Sequence, residues 1–206
     1  SVEEKPTGEI SAGAGFGTSG STFMFGVKEN NYLGRGVKVD SNLNVTDERI
    51  KGKILVSNPN YKNSDKRIDF SLDATSIDRL ASSGYKSNVT GFTIGTQFEY
   101  LDDFRLGIST KNNMESIDVD SSASAKQKKQ DGNYFDSFIG LDFIYDKRNQ
   151  KYQTTSGFLS DYNVKIPILS DTNTLTNVYS YKIFKELYEN NISSLSFLFK
   201  GASSLS

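Results

Sequence analysis

Four carboxylates, Asp69, Asp73, Asp142 and Asp161, recur on the polar sides of strand-like runs, and paired acids are the chemistry of glycoside hydrolysis. Nothing around them completes such a site. The 206 residues contain no His and no Cys, so His-based triads, thiolate metal sites and disulfides cannot be built. A polar barrel interior accounts for the four acids without catalysis. No catalytic, cofactor-binding or metal-ligating residue is therefore assigned. A net charge of −1 gives no bulk electrostatic attraction for nucleic acid. The stretch the rest of the chain is organised around is Gly8 to Gly17, GEISAGAGFG, where glycine at 13, 15 and 17 weakens a strand and leaves its pairing poorly specified.

The elements that must carry this stretch alternate with period 2. Ile10, Ala12, Ala14 and Phe16 share one face; Glu9, Ser11, Gly13, Gly15 and Gly17 share the other. Thr18-Ser19-Gly20-Ser21 reads as a tight turn into a second strand with Phe23, Phe25 and Val27 on one face. Glu29 to Gly36 is the next turn. Val37, Val39, Leu43 and Val45 alternate with Lys38, Asp40, Asn42 and Asn44; Ile50, Ile54 and Val56 follow, and Asn58-Pro59 ends that strand. The cleanest alternation is Ile68, Phe70, Leu72, Ala74 against Asp69, Ser71, Asp73. Ile77 to Ser87 is expected as a longer loop. Phe92, Ile94 and Phe98 mark one further strand, and Phe104, Leu106 and Ile108 another, with Asp102-Asp103 between them. Lys111 to Gly132 is expected as the longest break, and its basic run from Lys126 to Lys129 as a solvated loop. Phe135 to Tyr145, Phe158 to Ile166, Leu175 to Ile183 and Leu195 to Phe199 complete eleven strands, with a turn over Asp146 to Gly157.

Apolar residues make up 35% of the chain, yet 14 Phe and 11 Tyr argue against disorder. No run approaches the ~20 apolar residues of a spanning helix. Strands of about ten residues, joined in meander order by alternately short and long connections, fit an outer-membrane barrel whose short turns share one side. Aromatics near strand ends, Phe16 and Phe23 or Tyr145 and Phe158, suit its girdles. A soluble sandwich or a propeller would favour shorter strands rich in Val and Ile. The fold class expected is all-β: an antiparallel up-and-down transmembrane β-barrel. The chain does not open on Met or on a signal peptide, and eleven is an odd strand count, so a fragment lacking C-terminal strands is expected.

Four motifs in order carry a resemblance: Gly13-Ala14-Gly15-Phe16-Gly17-Thr18, Asn30-Asn31-Tyr32-Leu33-Gly34-Arg35-Gly36, Val56-Ser57-Asn58-Pro59-Asn60-Tyr61, and Tyr145-Asp146-Lys147-Arg148-Asn149 with Thr155-Ser156-Gly157-Phe158. The chain resembles the BamA-like outer-membrane assembly factors of the bacterial surface antigen family. Asn149 and Thr154 stand where that pattern has Asp and Pro, a departure within a turn.

The resemblance implies a sixteen-stranded barrel in the bacterial outer membrane, with about eleven strands present in residues 8–206. Residues 1–7 would be the linker from preceding periplasmic POTRA domains. It implies insertion of β-barrel proteins through a lateral seam, and no enzyme activity. The client-strand edge would be Gly8, Glu9, Ile10, Ser11, Ala12, Gly13, Ala14, Gly15, Phe16 and Gly17. Asn31, Leu33, Gly34, Gly36, Asn58, Pro59, Asp146, Arg148 and Gly157 would be structural turn formers. Implied partners are outer-membrane lipids, unfolded β-barrel clients and accessory lipoproteins. The strand glycines have a second reading, room or curvature within the barrel. Two alternatives remain for the function, a sister translocation factor of the TamA type and a passive porin-like barrel. A phospholipase would need a Ser-His pair, which a chain without His lacks.

Overall fold

The computed structural model describes residues 7–17, 20–121, 123–170, 173–188 and 191–204. The expected linker up to Pro6, and Thr18 and Ser19 of the expected first turn, lie outside the described residues.

Eleven strands lie among the described residues. They are β1 (Gly8–Gly17), β2 (Gly20–Tyr32), β3 (Val37–Thr46), β4 (Arg49–Asn58), β5 (Arg67–Arg79), β6 (Tyr85–Leu101), β7 (Phe104–Val119), β8 (Gly132–Asp146), β9 (Gly157–Leu169), β10 (Thr174–Tyr188) and β11 (Asn191–Ser204). Two single-turn helices, α1 (Leu80–Ser83) and α2 (Ala125–Lys128), lie in connections. Sheet order equals chain order, β1 through β11, so every connection is a hairpin. This is an antiparallel up-and-down β fold. Among the described residues no helix is long and apolar enough to cross a membrane, which says nothing of strands.

Burial runs opposite to that of a water-soluble sheet. On β5, Leu72 is 44% exposed while its neighbour Ser71 is 8% exposed. The same inversion recurs on other strands. Ser57, Ser87 and Ser137 are buried, while Phe23, Phe25, Ile54, Phe92, Ile94 and Ile108 are exposed. Among the described residues Phe138 is the one buried apolar side chain. Alternation still separates polar from apolar, but the apolar side is the one left open. That is what a barrel strand in lipid requires.

The strands are longer than their apolar stripes. Ile77 to Arg79 belong to β5 and Tyr85 to Ser87 to β6, so the expected loop over 77–87 shrinks to α1 and Gly84. β7 likewise runs on to Val119, through residues expected to be a break. Lys111, Asn112, Asn113 and Glu115 hide the alternation there, because main-chain pairing continues where neither face is uniformly apolar. The expected division into short turns on one side and long loops on the other is not found. Asp47-Glu48 and the connection over 120–131 fall at the same strand ends in a meander, and one is two residues while the other is twelve.

The chain divides into two compact units. The first, residues 1–94 and 111–136, contains the ladders of β1 through β5. Its 120–131 connection is tied to the end of α1. Ser124 and Gln127 form a capping box on α2, the Gln127 amide donates to Ser83 O at 3.0 Å, and Asp120 N donates to Gly84 O at 2.9 Å. Gly84, at φ +72°, closes α1 in the left-handed conformation that glycine adopts without penalty.

The second unit, residues 95–110 and 137–206, contains the ladders of β8 through β11. Its apolar face carries a cross-strand aromatic row. Phe143 faces Tyr162, Tyr162 faces Tyr179 and Tyr179 faces Phe199, with ring centroids 6.1, 6.4 and 6.4 Å apart. A second group joins Phe104, Tyr145, Phe158 and Tyr181. The Tyr hydroxyls are served within the sheet: Tyr162 donates to Asn177 Oδ1 at 2.8 Å, and Ser160 Oγ lies 3.2 Å from the Tyr179 hydroxyl. Such internal satisfaction is needed where no water reaches.

Candidate strand-pairing edge

β1 forms because its residues alternate and β2 fixes its register. Gly8 faces Glu29 and Gly17 faces Gly20, with eight pairs between. The pairing starts one residue earlier, where Thr7 O accepts from the Asn30 amide N–H at 3.2 Å and the Asn30 side chain at 3.1 Å. β1 stands at one end of the sheet order, so β2 is its one strand neighbour. An antiparallel strand directs its main-chain groups alternately to both sides. Those on the side away from β2 face the position that a further strand would take. All ten residues of β1 are exposed, with Phe16 at 89%. The ten residues singled out in the sequence as a client edge are thus brought together as one strand.

Side chains do little to hold this strand down. A β-carbon at Gly13 would meet only the Met24 methyl, 3.6 Å away, and one at Gly15 would meet nothing within 4 Å. At Gly13 the polar face opens on a hollow of about 530 Å³ walled by Met24, Asn42, Lys51 and Lys53. Main-chain hydrogen bonds to β2 therefore carry most of the attachment of β1.

The turn residues lie in three separate connections and take no part in the edge. Between β2 and β3, Asn31 Oδ1 accepts from Gly36 N at 2.6 Å, and Leu33, Gly34 and Gly36 all have positive φ. After β4, Asn58 Oδ1 accepts from Asn60 N at 3.2 Å across Pro59, and Tyr61 N donates to Lys66 O at 2.9 Å.

The β8–β9 connection is the most densely bonded. Arg148 grips Asp146 with both arms of its guanidinium, at 2.7 and 2.8 Å, and Arg105 adds a second cation at 3.6 Å. The two side chains are 19% and 10% exposed, so the pair is sheltered rather than a surface ion pair. The carboxylate raises the pKa of Arg148 above its ordinary value. Lys147 reaches Asp103 at 2.5 Å, and that hydrogen bond raises the lysine's pKa. Gly157 has φ +98° and passes so close to Lys147 O that no β-carbon fits. The sequence reading missed how Asn149 works here. Its Oδ1 accepts from Thr155 N and Ser156 N at 3.1 and 3.2 Å, as an Asp would, while its Nδ2 also donates to Thr155 Oγ1 at 2.7 Å. Thr154, in the position expected for Pro, is buried and donates to Gln150 O at 2.7 Å. The signal for both lay in the spacing of polar side chains across the turn.

The four carboxylates are spread over structural contacts. Asp69 accepts from Ser57 at 2.6 Å and pairs with Arg67 at 2.7 Å. Asp142 accepts from Asn163, Asp73 lies beside Gly91, and Asp161 stands opposite Ser180 of β10. No group of three or more acidic residues placed to hold a metal occurs among the described residues.

Lipid-facing alternation, meander order and a lightly held edge strand define an outer-membrane-type β-barrel. Residues 31–204 match the Omp85 superfamily domain, and the chain belongs to that superfamily. Among solved structures it is similar to BamA from Haemophilus ducreyi lacking POTRA domains 1–3, with a TM-score of 0.71 and 16% sequence identity. That likeness covers 98% of this chain and 42% of the other. At this identity the likeness concerns the fold.

Proposed function

We propose that this chain is the gate-side part of a factor that folds and inserts β-barrel proteins into the bacterial outer membrane, with β1 as the template strand. The observation that carries the reading is the make-up of β1 itself: a strand whose glycines leave it little side-chain packing against β2. An unpaired edge in hydrocarbon leaves main-chain groups unsatisfied, each at a cost of several kcal/mol. A client strand satisfies them by main-chain hydrogen bonds with little demand on its sequence. Outer-membrane lipid, unfolded barrel clients and accessory lipoproteins are the partners of this reading. In the longer protein, residues 1–7 would join periplasmic POTRA domains, and further strands would complete the barrel. The mechanism calls for no catalytic residue.

The test is a disulfide between β1 and the last strand of the full-length protein. The native chain offers no competing thiol in residues 1–206. Locking the seam is expected to stop client insertion, and reduction to restore it. Normal insertion by the locked protein would refute the reading.

A further inference from the structure

Glycines on the polar face of the sheet follow a rule within each unit. In the first unit, a β-carbon at Gly26 would lie 2.6 Å from Ser11 Oγ and 3.1 Å from Asn42 Oδ1. These are its register partners on the two neighbouring strands. Gly91 is covered in the same way by Asn113 and Asp73. In the second unit, Asp142 lies over Gly107 at 3.0 Å, and Ser109 lies over both Gly140 at 2.5 Å and Gly95 at 3.2 Å. Every cover is Ser, Asn or Asp from an adjacent strand. The physical reason is simple. Glycine leaves room for a neighbour's short polar side chain to lie flat on the backbone, which keeps the face polar.

Gly13, Gly15 and Gly17 break the rule. They share the polar face of β1 with Ser11, yet no polar side chain covers any of them. From β2, Met24 touches the Gly13 position with its methyl, and Thr22, opposite Gly15, does not come within 4 Å. β2 supplies no cover, so a cover can come only from the strand on the other side of β1. Resting on the strand-addition reading above, the geometry points to a selected feature of the incoming strand. It presents Asn, Asp or Ser on its polar face beside Gly13 and Gly15, completing the cover found over Gly26, Gly91, Gly95, Gly107 and Gly140. The edge thus selects for small polar side chains as well as for main-chain hydrogen bonds.

Residues 1–206 hold no cysteine. The full-length chain, with any cysteine outside these residues replaced and carrying Ala14→Cys, is offered two synthetic strand peptides, each with one cysteine on its apolar face. They differ only on the polar face, Asn and Ser in one, Val and Leu in the other. The polar peptide is expected to form the disulfide about fivefold more readily, the scale of one good hydrogen bond. Gly13→Val and Gly15→Val add side chains where there is room, so the fold is retained, as heat-modifiable migration will report. Each is expected to bring the polar peptide down to the yield of the apolar one. Gly52→Ala on β4, whose β-carbon would lie 4.0 Å from Leu43, is expected to leave the trapping ratio of the two peptides as it was. Equal trapping of the two peptides by the chain carrying only Ala14→Cys overturns the polar-cover inference while strand addition stands. Trapping of neither peptide above a single-cysteine control on β4 overturns strand addition, and the inference with it.

Discussion

Tyr179 and Phe199 face each other across β10 and β11, their rings stacked 6.4 Å apart at 28°. They end a row that begins at Phe143 and crosses four strands on the lipid-facing side. An aromatic pair is worth about 0.5–1.5 kcal/mol beyond the area it buries. Tyr179→Ala and Phe199→Ala are each expected to destabilise the full-length barrel. A double-mutant cycle by urea unfolding in detergent should return a coupling of that size. Additive losses would mean that the stack is incidental.

The inverted burial of β5 gives a sharper contrast. Leu72→Arg places a charge on the lipid face and is expected to cost about 2–4 kcal/mol if it lies near the bilayer midplane. Leu72→Ala should cost far less, since lipid can fill the space. In a soluble sheet an exposed Leu72 would tolerate Arg. Unfolding free energies in lipid vesicles separate the two cases.

Asp146 and Arg148 form a sheltered bidentate pair. Arg148→Met leaves the carboxylate with Arg105 alone, and a loss of about 1–3 kcal/mol is expected. Arg148→Lys should recover little, because an ammonium cannot reproduce the two parallel hydrogen bonds. Full recovery by Lys in the same unfolding assay would show that charge alone matters.

The Lys147–Asp103 tie carries a pH dependence. Asp103 raises the pKa of Lys147 above 10.5, so the bound state prefers the protonated lysine. The contribution is therefore complete at neutral pH and lost as pH rises through the elevated pKa. Hydrogen exchange of the 147–156 turn should accelerate on that alkaline limb. Lys147→Arg should shift the acceleration beyond the accessible range, and an unchanged profile would detach the effect from this lysine.

Two glycines should respond oppositely to alanine. Gly157→Ala forces a side chain into a positive φ and against Lys147 O, and should cost about 1–3 kcal/mol. Gly52→Ala meets only ordinary contact and should stabilise by about 0.4–1 kcal/mol through the unfolded chain. Equal effects in thermal unfolding would mean that backbone conformation does not decide them.

Strand order was legible wherever one face is apolar. Ile68, Phe70, Leu72 and Ala74 announce β5, and comparable stripes announce the other ten strands. Strand ends were not legible at Ile77 to Arg79, Tyr85 to Ser87 or Lys111 to Val119. There main-chain pairing outruns the apolar stripe, and local composition looks like loop. The glycine-rich edge could be read from spacing within β1, because its distinction is what it lacks. The cover over Gly26, Gly91, Gly107 and Gly140 could not, since it depends on which residue of another strand lies opposite. The Asp146–Arg148 pair was visible as two charges a residue apart, but its shelter came from Arg105 and the packed turn.

Among the described residues Phe138 is the one hidden apolar side chain, and this bears on how such a sequence can drift. In a compact soluble core each residue touches many others, so a change at one site constrains its neighbours. Here a lipid-facing side chain meets mostly solvent of its own kind, and a polar-face side chain meets one or two cross-strand partners. Substitutions are then tested almost one at a time. A shared fold at 16% identity is the outcome such loose coupling permits. Ancestry should persist longest where positive φ or a register contact leaves few acceptable replacements, in turns such as those at Leu33 to Gly36 and at Gly157.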